Sequence, residues 1–390
     1  MGSAGVRAAF AYPLRGWRFD VCRTALFASG QLAADTPCAY APPFPSRPQV
    51  LRGAQIIQTS SFRTLAHARL YAIAVLIPAA LLGCSHSGPQ HLAIVDPAGV
   101  PIGFSGLEAI DSVRFLVVVD RKDFQQGLRL ASLRIEGATP DLTELSVSTW
   151  GGTPPLPSDL EGVCGIPQRT NEFFATESGS WEGRAGRLYR IQVAQTSAVV
   201  SDIEQLPVWA DNTPDITGDQ LEGLECAQLT ASTVLLIFGE RGGSAAHPSA
   251  LLRWATYDLP TSTLTWTADG RTGKPVPGLL PQGGRNITGL YLDSNNDLWA
   301  SGAVDPDQDF GPFWSLVYKV AVVDVDSNDP IQVIAAPAIT HCVDGFKIEG
   351  LAAAPTTVAG AQLSFAGEDE SFGGIFRALR SPGALAKSCS

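Results

Sequence analysis

Four glutamates recur at long, similar intervals, and their neighbours suggest what they could do. Glu161 in "DLEGVCG", Glu222 in "QLEGLECAQL" and Glu349 in "FKIEGLAAAP" each stand between an apolar residue and a glycine. Glu108 in "GLEAI" matches them with Ala109 in place of the glycine, and Thr288 in "ITGLYLD" takes the place of the acid in a further copy. Carboxylates gathered in one place repel each other unless something positive sits among them. One remedy is structural. Arg134, Arg190, Arg253, Lys319 and Arg377 recur at a matching interval and could pair with the acids, fixing register more than adding net stability. The other is functional. Spare carboxylates at Glu108, Glu161, Glu222 and Glu349 would hold Ca²⁺ or another hard cation, which takes oxygen ligands. A cation-activated water, with Glu161, Glu222 or Glu349 as ligand or base, would then make ester hydrolysis the economical chemistry.

Other chemistry finds little support. There is no G-x-S-x-G elbow, no H-E-x-x-H and no P-loop. Beyond residue 83 the histidines are His86, His91, His247 and His341, and only His341, just ahead of the last Glu-Gly core, is expected near a site. Asp293, Asn295, Asn296 and Asp297 in "LDSNNDLW" look like part of a Ca²⁺ loop but lack the closing Glu, so a hairpin turn is the expected role. Cys164, Cys226, Cys342 and Cys389 allow three pairings. Cys164–Cys226 would join successive units, and Cys342–Cys389 would staple the C-terminal tail. At least one disulfide is expected.

The elements that must position these residues repeat with them. The cores are spaced by 53, 61, 66 and 61 residues. Each is followed by an apolar string, "RFLVVVD", "EFFATES", "VLLIFGE", "DLWASGA" and "QLSFAGE", in which Asp120, Glu177, Glu240 and Glu368 form a second set of acids. A third string carries the basic residue: "LASLRIE", "GRLYRIQ", "ALLRWAT", "LVYKVAV" and "GIFRALR". Fourth strands are expected at "LTELSVSTW", "SAVVSDI", "TLTWTAD" and "IQVIAAPA", with Gly, Pro, Asn and Asp between strands and no convincing helix. The fifth unit lacks a fourth strand, while "HLAIVDPAG" at 91–99 is a strand without a unit. Short strands repeating in this way predict an all-β fold, a β-propeller of four-stranded blades, with five blades favoured and six as the alternative. The N-terminal strand would close the last blade. First strands line the channel of a propeller, so Gly162, Gly223, Gly289 and Gly350 would allow close backbone approach, and the preceding side chains would face the axis.

The strings "DLEGV…FFATESGS…GRLYRI" and "KIEGLAAAP…LSFAGEDESFGGIFRAL" resemble the phytase-like, esterase-type propeller domains of bacterial secreted proteins. They are more distantly similar to the regucalcin and strictosidine-synthase propellers. The resemblance spans roughly residues 100–380. It implies a ligand or metal site at the channel mouth, and hydrolase activity in some members. Thr288 departs from the pattern and breaks any metal ring carried over from it.

The N-terminal part reads differently. Arg63, His67 and Arg69 flank an apolar run of 13 residues, Leu70 to Leu82, too short to span a bilayer as a helix. The run fits a secretory signal and ends in "LLGC", which resembles the lipobox of bacterial lipoproteins. That resemblance implies diacylation of Cys84, including palmitate, and cleavage before it. Ser85 in the next position resembles the outer-membrane sorting pattern. The expected organisation is therefore 1–62 a leader or misassigned start, 63–83 the signal peptide, 84–90 a tether and 91–390 one propeller domain. Residues 1–83 hold 8 Arg and 2 Asp, so the remainder carries 19 basic and 36 acidic groups, a net charge of −17. Such a chain disfavours nucleic acid and anionic headgroups as partners. The expected protein is an envelope-anchored monomer that binds a ligand or protein, with a cation-dependent hydrolase of phosphate or carboxylate esters as the alternative.

Overall fold

The computed structural model describes residues 103–380, apart from 120, 122–126, 137–139, 154, 180–184, 208–219, 246, 307–310 and 370–372. The leader, signal, Cys84, the 91–99 strand and Cys389 lie outside the described residues.

Apolar runs bounded by tight turns form antiparallel hairpins, and these assemble into five sheets. Blade 1 is β1 (Phe104–Ala109), β2 (Arg114–Val119), β3 (Leu130–Arg134) and β4 (Asp141–Glu144), paired in chain order. After β5 (Ser146–Val147) comes blade 2, with β6 (Leu160–Gly165), β7 (Glu172–Glu177), β8 (Arg187–Val193) and β9 (Ser197–Gln205). Short β5 leaves blade 1 and runs parallel to β9 at the edge of blade 2. Blade 3 has β10 (Leu221–Gln228), β11 (Thr233–Glu240), β12 (Leu251–Asp258) and β13 (Thr263–Thr265). A single helical turn, α1 (Ala268–Thr272), then leads into β14 (Lys274–Pro275), which returns to pair with the other end of β12. Thr267 caps α1, its hydroxyl accepting from the Gly270 N–H at 2.9 Å. Blade 4 has β15 (Arg285–Leu292), β16 (Asp297–Val304), β17 (Trp314–Val323) and β18 (Ile331–Val333), with β19 (Ile339–Asp344) again pairing the far end of the third strand. Pro337, which cannot donate to the ladder, lies in the gap between β18 and β19. Blade 5 shows β20 (Lys347–Ala353), β21 (Ala361–Asp369) and β22 (Gly373–Arg380).

The outer strand of blade 2, β9, is as long as the sequence suggests, but those of blades 1, 3 and 4 are shorter and more broken. In blades 3 and 4 the fourth-strand role is divided between two short segments.

The first strands close a ring: β1 touches β6, β6 touches β10, β10 touches β15, β15 touches β20, and β20 touches β1. Each blade therefore buries both faces, which is why second strands such as "FLVVV" and "VLLIF" are continuously apolar. Five separate apolar clusters fill the wedges between adjacent blades. The wedge between blades 1 and 5, with Phe104, Phe115 and Phe376, seals the circle, and the Phe115 and Phe376 ring centroids are 5.1 Å apart. The fold is a five-bladed β-propeller.

A disulfide joins Cys164 on β6 to Cys226 on β10, stitching the inner strands of blades 2 and 3 with Cα atoms 5.7 Å apart. Cys342 is also disulfide-bonded.

Candidate functional site

The repeated Glu-Gly core has a backbone explanation. In every blade the ladder between first and second strands shifts register just before one glycine: Gly106, Gly162, Gly223, Gly289 or Gly350. In blade 4 the irregularity extends over Asn286–Thr288. A bulge leaves one residue outside the pairing and re-aims its side chain. The residues so placed are Ser105, Glu161, Glu222, Thr288 and Glu349, all of them buried.

The glycines permit the convergence. A Cβ on Gly289 would lie 2.7 Å from the Glu349 carbonyl oxygen, and one on Gly350 would lie 2.6 Å from the Leu107 nitrogen. No side chain fits between backbones so close.

Here one expectation is corrected. Glu108 does not belong to this ring. "FSGLEA" contains both the hub glycine, Gly106, and a glutamate two residues later, so the first unit's true core is Ser105-Gly106. Glu161, Glu222 and Glu349 do come together, lining with the hub glycines a cavity of about 10 Å³, room for one water. Thr288 lies 2.5 Å from the Ile348 carbonyl, to which its hydroxyl donates, and 3.1 Å from Ser301 Oγ.

The cations that answer these acids are not the repeated ones. Arg241 Nη1 lies 3.4 Å from Glu222 Oε1 and also donates to Gln220 Oε1. Lys347 Nζ lies 2.7 Å from Glu349 Oε1 and 3.5 Å from Asp305 Oδ2. Arg285 bridges the same two acids, at 2.7 Å from Asp305 Oδ2 and 3.8 Å from Glu349 Oε1. Burial disfavours the charge on Arg285, yet Glu222, Asp305, Glu349 and Glu161 together hold its pKa above the usual range. For Arg241 burial wins, with Arg285 adding repulsion, and its pKa is lowered. The hub is a network of four acids and three cations in which Glu222 Oε2 is buried and accepts no hydrogen bond, and Arg241 Nε donates none.

The repeated basic residues lie elsewhere, which corrects the expected circuit of ion pairs. They sit on third strands, two strand spacings or about 10 Å from the inner strands. Nor are they equivalent: counted from the third-strand residues level with the hub glycines, Arg253 and Arg377 are one residue on, Arg190 and Lys319 two, and Arg134 four. Their partners are local. Arg134 pairs with Glu136 at 2.7 Å, Arg190 with Glu172 at 2.7 Å and Lys319 with Asp297 at 2.6 Å. Arg253 pairs with the buried Glu240, and Arg377 stacks 4.6 Å over the Phe346 ring. Glu177, the counterpart of Glu240, is held by Arg187 at 2.5 Å.

His341 is also not at a channel mouth. It lies on β19 at the outer side of blade 4, its ring nitrogens 3.0 Å from Thr340 Oγ1 and 2.9 Å from the Arg380 carbonyl. Asp293 to Asp297 form the β15–β16 turn: Asp293 Oδ1 accepts from the N–H groups of Asn295 and Asp297 at 2.8 and 3.0 Å, and Asn296 takes φ 62°. Among the described residues no three His, Cys, Asp or Glu side chains are gathered so as to hold a metal ion.

No family model and no curated protein matches this chain. Solved structures show a distant likeness. An exo-1,5-α-L-arabinanase from a bovine ruminal metagenomic library is similar at 8% identity and TM-score 0.40, over 71% of this chain and 92% of that one. A thermostable family-43 glycoside hydrolase is similar at 9% identity and TM-score 0.41, over 73% and 93%. A GH32 β-fructofuranosidase from Bombyx mori is similar at 10% identity and TM-score 0.37, over 75% and 64%. Likeness at this level carries neither substrate nor mechanism to this chain.

Proposed function

We propose that this chain is a lipid-anchored propeller of the bacterial envelope, favouring the outer membrane, that works as a ligand- or protein-binding module. One observation carries the reading. The axial carboxylates are engaged by Arg241, Arg285 and Lys347 around a space of about 10 Å³, so the hub holds the blades together and offers a substrate no entry. Binding then falls to the surface between blades. One groove there, about 760 Å³, is lined by Arg129, Glu144, Ser148, Thr149, Trp150 and Leu156. Its volume suits a small molecule or a short chain segment, and its hydroxyls and charges suit a polar one.

The test pairs two variants of the full chain. Thr149→Arg, at an exposed position in the groove, should abolish binding of an envelope ligand found by screening glycan and peptide fragments, while stability stays unchanged. Equal binding by wild type and Thr149→Arg would overturn the groove's role. Palmitate labelling that persists in Cys84→Ala would overturn the anchor.

The second reading, a cation-dependent hydrolase of phosphate or carboxylate esters, is favoured by one atom: the buried Glu222 Oε2 without a hydrogen-bond partner. Turnover of p-nitrophenyl phosphate or acetate that needs Ca²⁺ and is lost in Glu222→Gln would establish it in place of the first.

A further inference from the structure

The inner strands carry a second acidic tier that the hub does not use. Two residues past the hub glycines stand Glu108 on β1, Cys164 on β6, Glu225 on β10, Tyr291 on β15 and Ala352 on β20. Three residues of strand, about 10 Å at a rise of ~3.3 Å, separate this tier from the bulged side chains. Between them lies a buried apolar collar of Leu107, Val163, Leu224, Leu290 and Leu351.

Glu108 and Glu225 are on strands separated by β6. At that crossing β6 has Gly165, and Glu108 Oε1 lies 3.3 Å from where its Cβ would stand. The missing side chain gives the Glu108 carboxylate its path across β6 toward Glu225. Glu225 is only 5% exposed, and its Oε2 accepts from the Cys226 N–H at 3.4 Å. Its Oε1 is buried and makes no hydrogen bond of good geometry, although the Leu292 N–H also acts on this carboxylate. Unlike the hub, this tier has no cation: the charges acting on Glu108, Glu225 and Tyr291 are each other's and that of Asp293, with no Arg, Lys or His among them in the described residues. Burial pushes Glu108 up to about 8, burial and the Glu108 charge push Glu225 upward, and burial with both acids pushes Tyr291 up to about 12.

Glu108 is half-buried and Glu225 buried, and two such carboxylates acting on each other without a counter-charge are unstable unless a proton or a cation joins them. We infer that this end of the channel is a divalent-cation site, built from the Glu108 and Glu225 carboxylates with the Tyr291 hydroxyl at its edge, and separate from the hub. All-oxygen ligands and two negative charges select a hard ion such as Ca²⁺, with waters completing its shell. With only two carboxylates the affinity expected is on the order of 10⁻⁴–10⁻³ M, the range of extracellular Ca²⁺ modules. The site goes beyond the proposed binding role and does not depend on it.

Tb³⁺, a luminescent stand-in for Ca²⁺, tests this on the full chain, because Tyr291 and its cross-strand neighbour Trp299 are placed to sensitise it. Saturable emission that Ca²⁺ displaces should appear in the wild type and in the hub variant Glu222→Gln. It should weaken tenfold or more in Glu225→Gln and in Glu108→Gln. Urea unfolding supplies an independent readout. Glu225→Gln, relieved of repulsion, should be at least as stable as metal-free wild type, and Ca²⁺ should stabilise only the wild type. Absence of saturable emission, its survival in Glu225→Gln, or its loss in Glu222→Gln would each overturn the assignment.

Discussion

Replacing Arg285 by Met tests whether the hub is held by its charge network. The guanidinium is 2.7 Å from Asp305 and 3.8 Å from Glu349, with side-chain exposures of 13%, 3% and 2%. At an effective dielectric of ~20 those separations correspond to gross attractions of about 6 and 4 kcal/mol. Removing the guanidinium recovers its own desolvation cost, and Lys347 still contacts both acids, so the net loss is far smaller than the sum. Breaking one side of a buried network of this kind costs about 3–5 kcal/mol. Met keeps much of the length and apolar packing of the arginine stem, so little of the loss is due to volume. The sign of the pH dependence follows. Without Arg285 both Asp305 and Glu349 are easier to protonate in the folded state than they are in the wild type. Lowering the pH therefore costs the variant less stability than it costs the wild type, and the deficit should be smaller at pH 5 than at pH 7.5. Urea unfolding followed by tryptophan fluorescence measures both values. Arg285→Met with Asp305→Asn should recover part of the loss, because it removes the stranded charge. A deficit below about 1 kcal/mol that is the same at both pH values would refute the reasoning.

Three further outcomes follow from the same geometry. Gly289→Ala should cost about 1–3 kcal/mol through its clash with the Glu349 carbonyl, whereas Gly278→Ala, whose nearest neighbours would be 3.7 and 3.8 Å away, should be near neutral in the same urea assay. Glu108 titrates near 8 in the folded protein against 4.5 unfolded, so metal-free stability should fall as pH rises from 4.5 to 8, by at most about 1.4 kcal/mol per unit for this group. Glu108→Gln should flatten that slope, and an unchanged slope would count against the burial of the carboxyl. Cys164→Ser opens a loop with a sequence separation of 62, for which chain entropy gives a loss of roughly 4 kcal/mol, measurable as a lower urea midpoint than the oxidised wild type.

Blade number was legible because the inner hairpins obey strong local rules. Apolar runs ending in turn residues at regular intervals leave few architectures, and the Cys164–Cys226 link follows from neighbouring first strands. The broken outer strands were not legible, because an edge segment such as Thr263–Thr265 has only one neighbour and little burial to fix it. The slip at Glu108 has a similar cause. A bulge is a property of pairing, not of one strand, and "FSGLEA" satisfies the acid pattern at the wrong residue. The regular spacing of Arg134, Arg190, Arg253, Lys319 and Arg377 was misleading for a geometric reason. One residue of offset turns a strand side chain to the opposite face, so similar intervals of 26 to 31 residues place these bases on different faces with different partners.

What the repeat encodes is therefore the bulge, and charge is decided blade by blade. The glycine recurs in all five blades because backbone contact demands it, while the bulged residue varies as Ser105, Glu161, Glu222, Thr288 and Glu349. Each acid at the axis needs a cation that the repeat does not supply. Arg241, Arg285 and Lys347 come from strand tips in blades 3, 4 and 5, within reach of the axis but outside any period. Two residues past the hub glycines of blades 1 and 3, Glu108 and Glu225 meet no such cation among the described residues, which is why the cation proposed above would have to come from outside the chain.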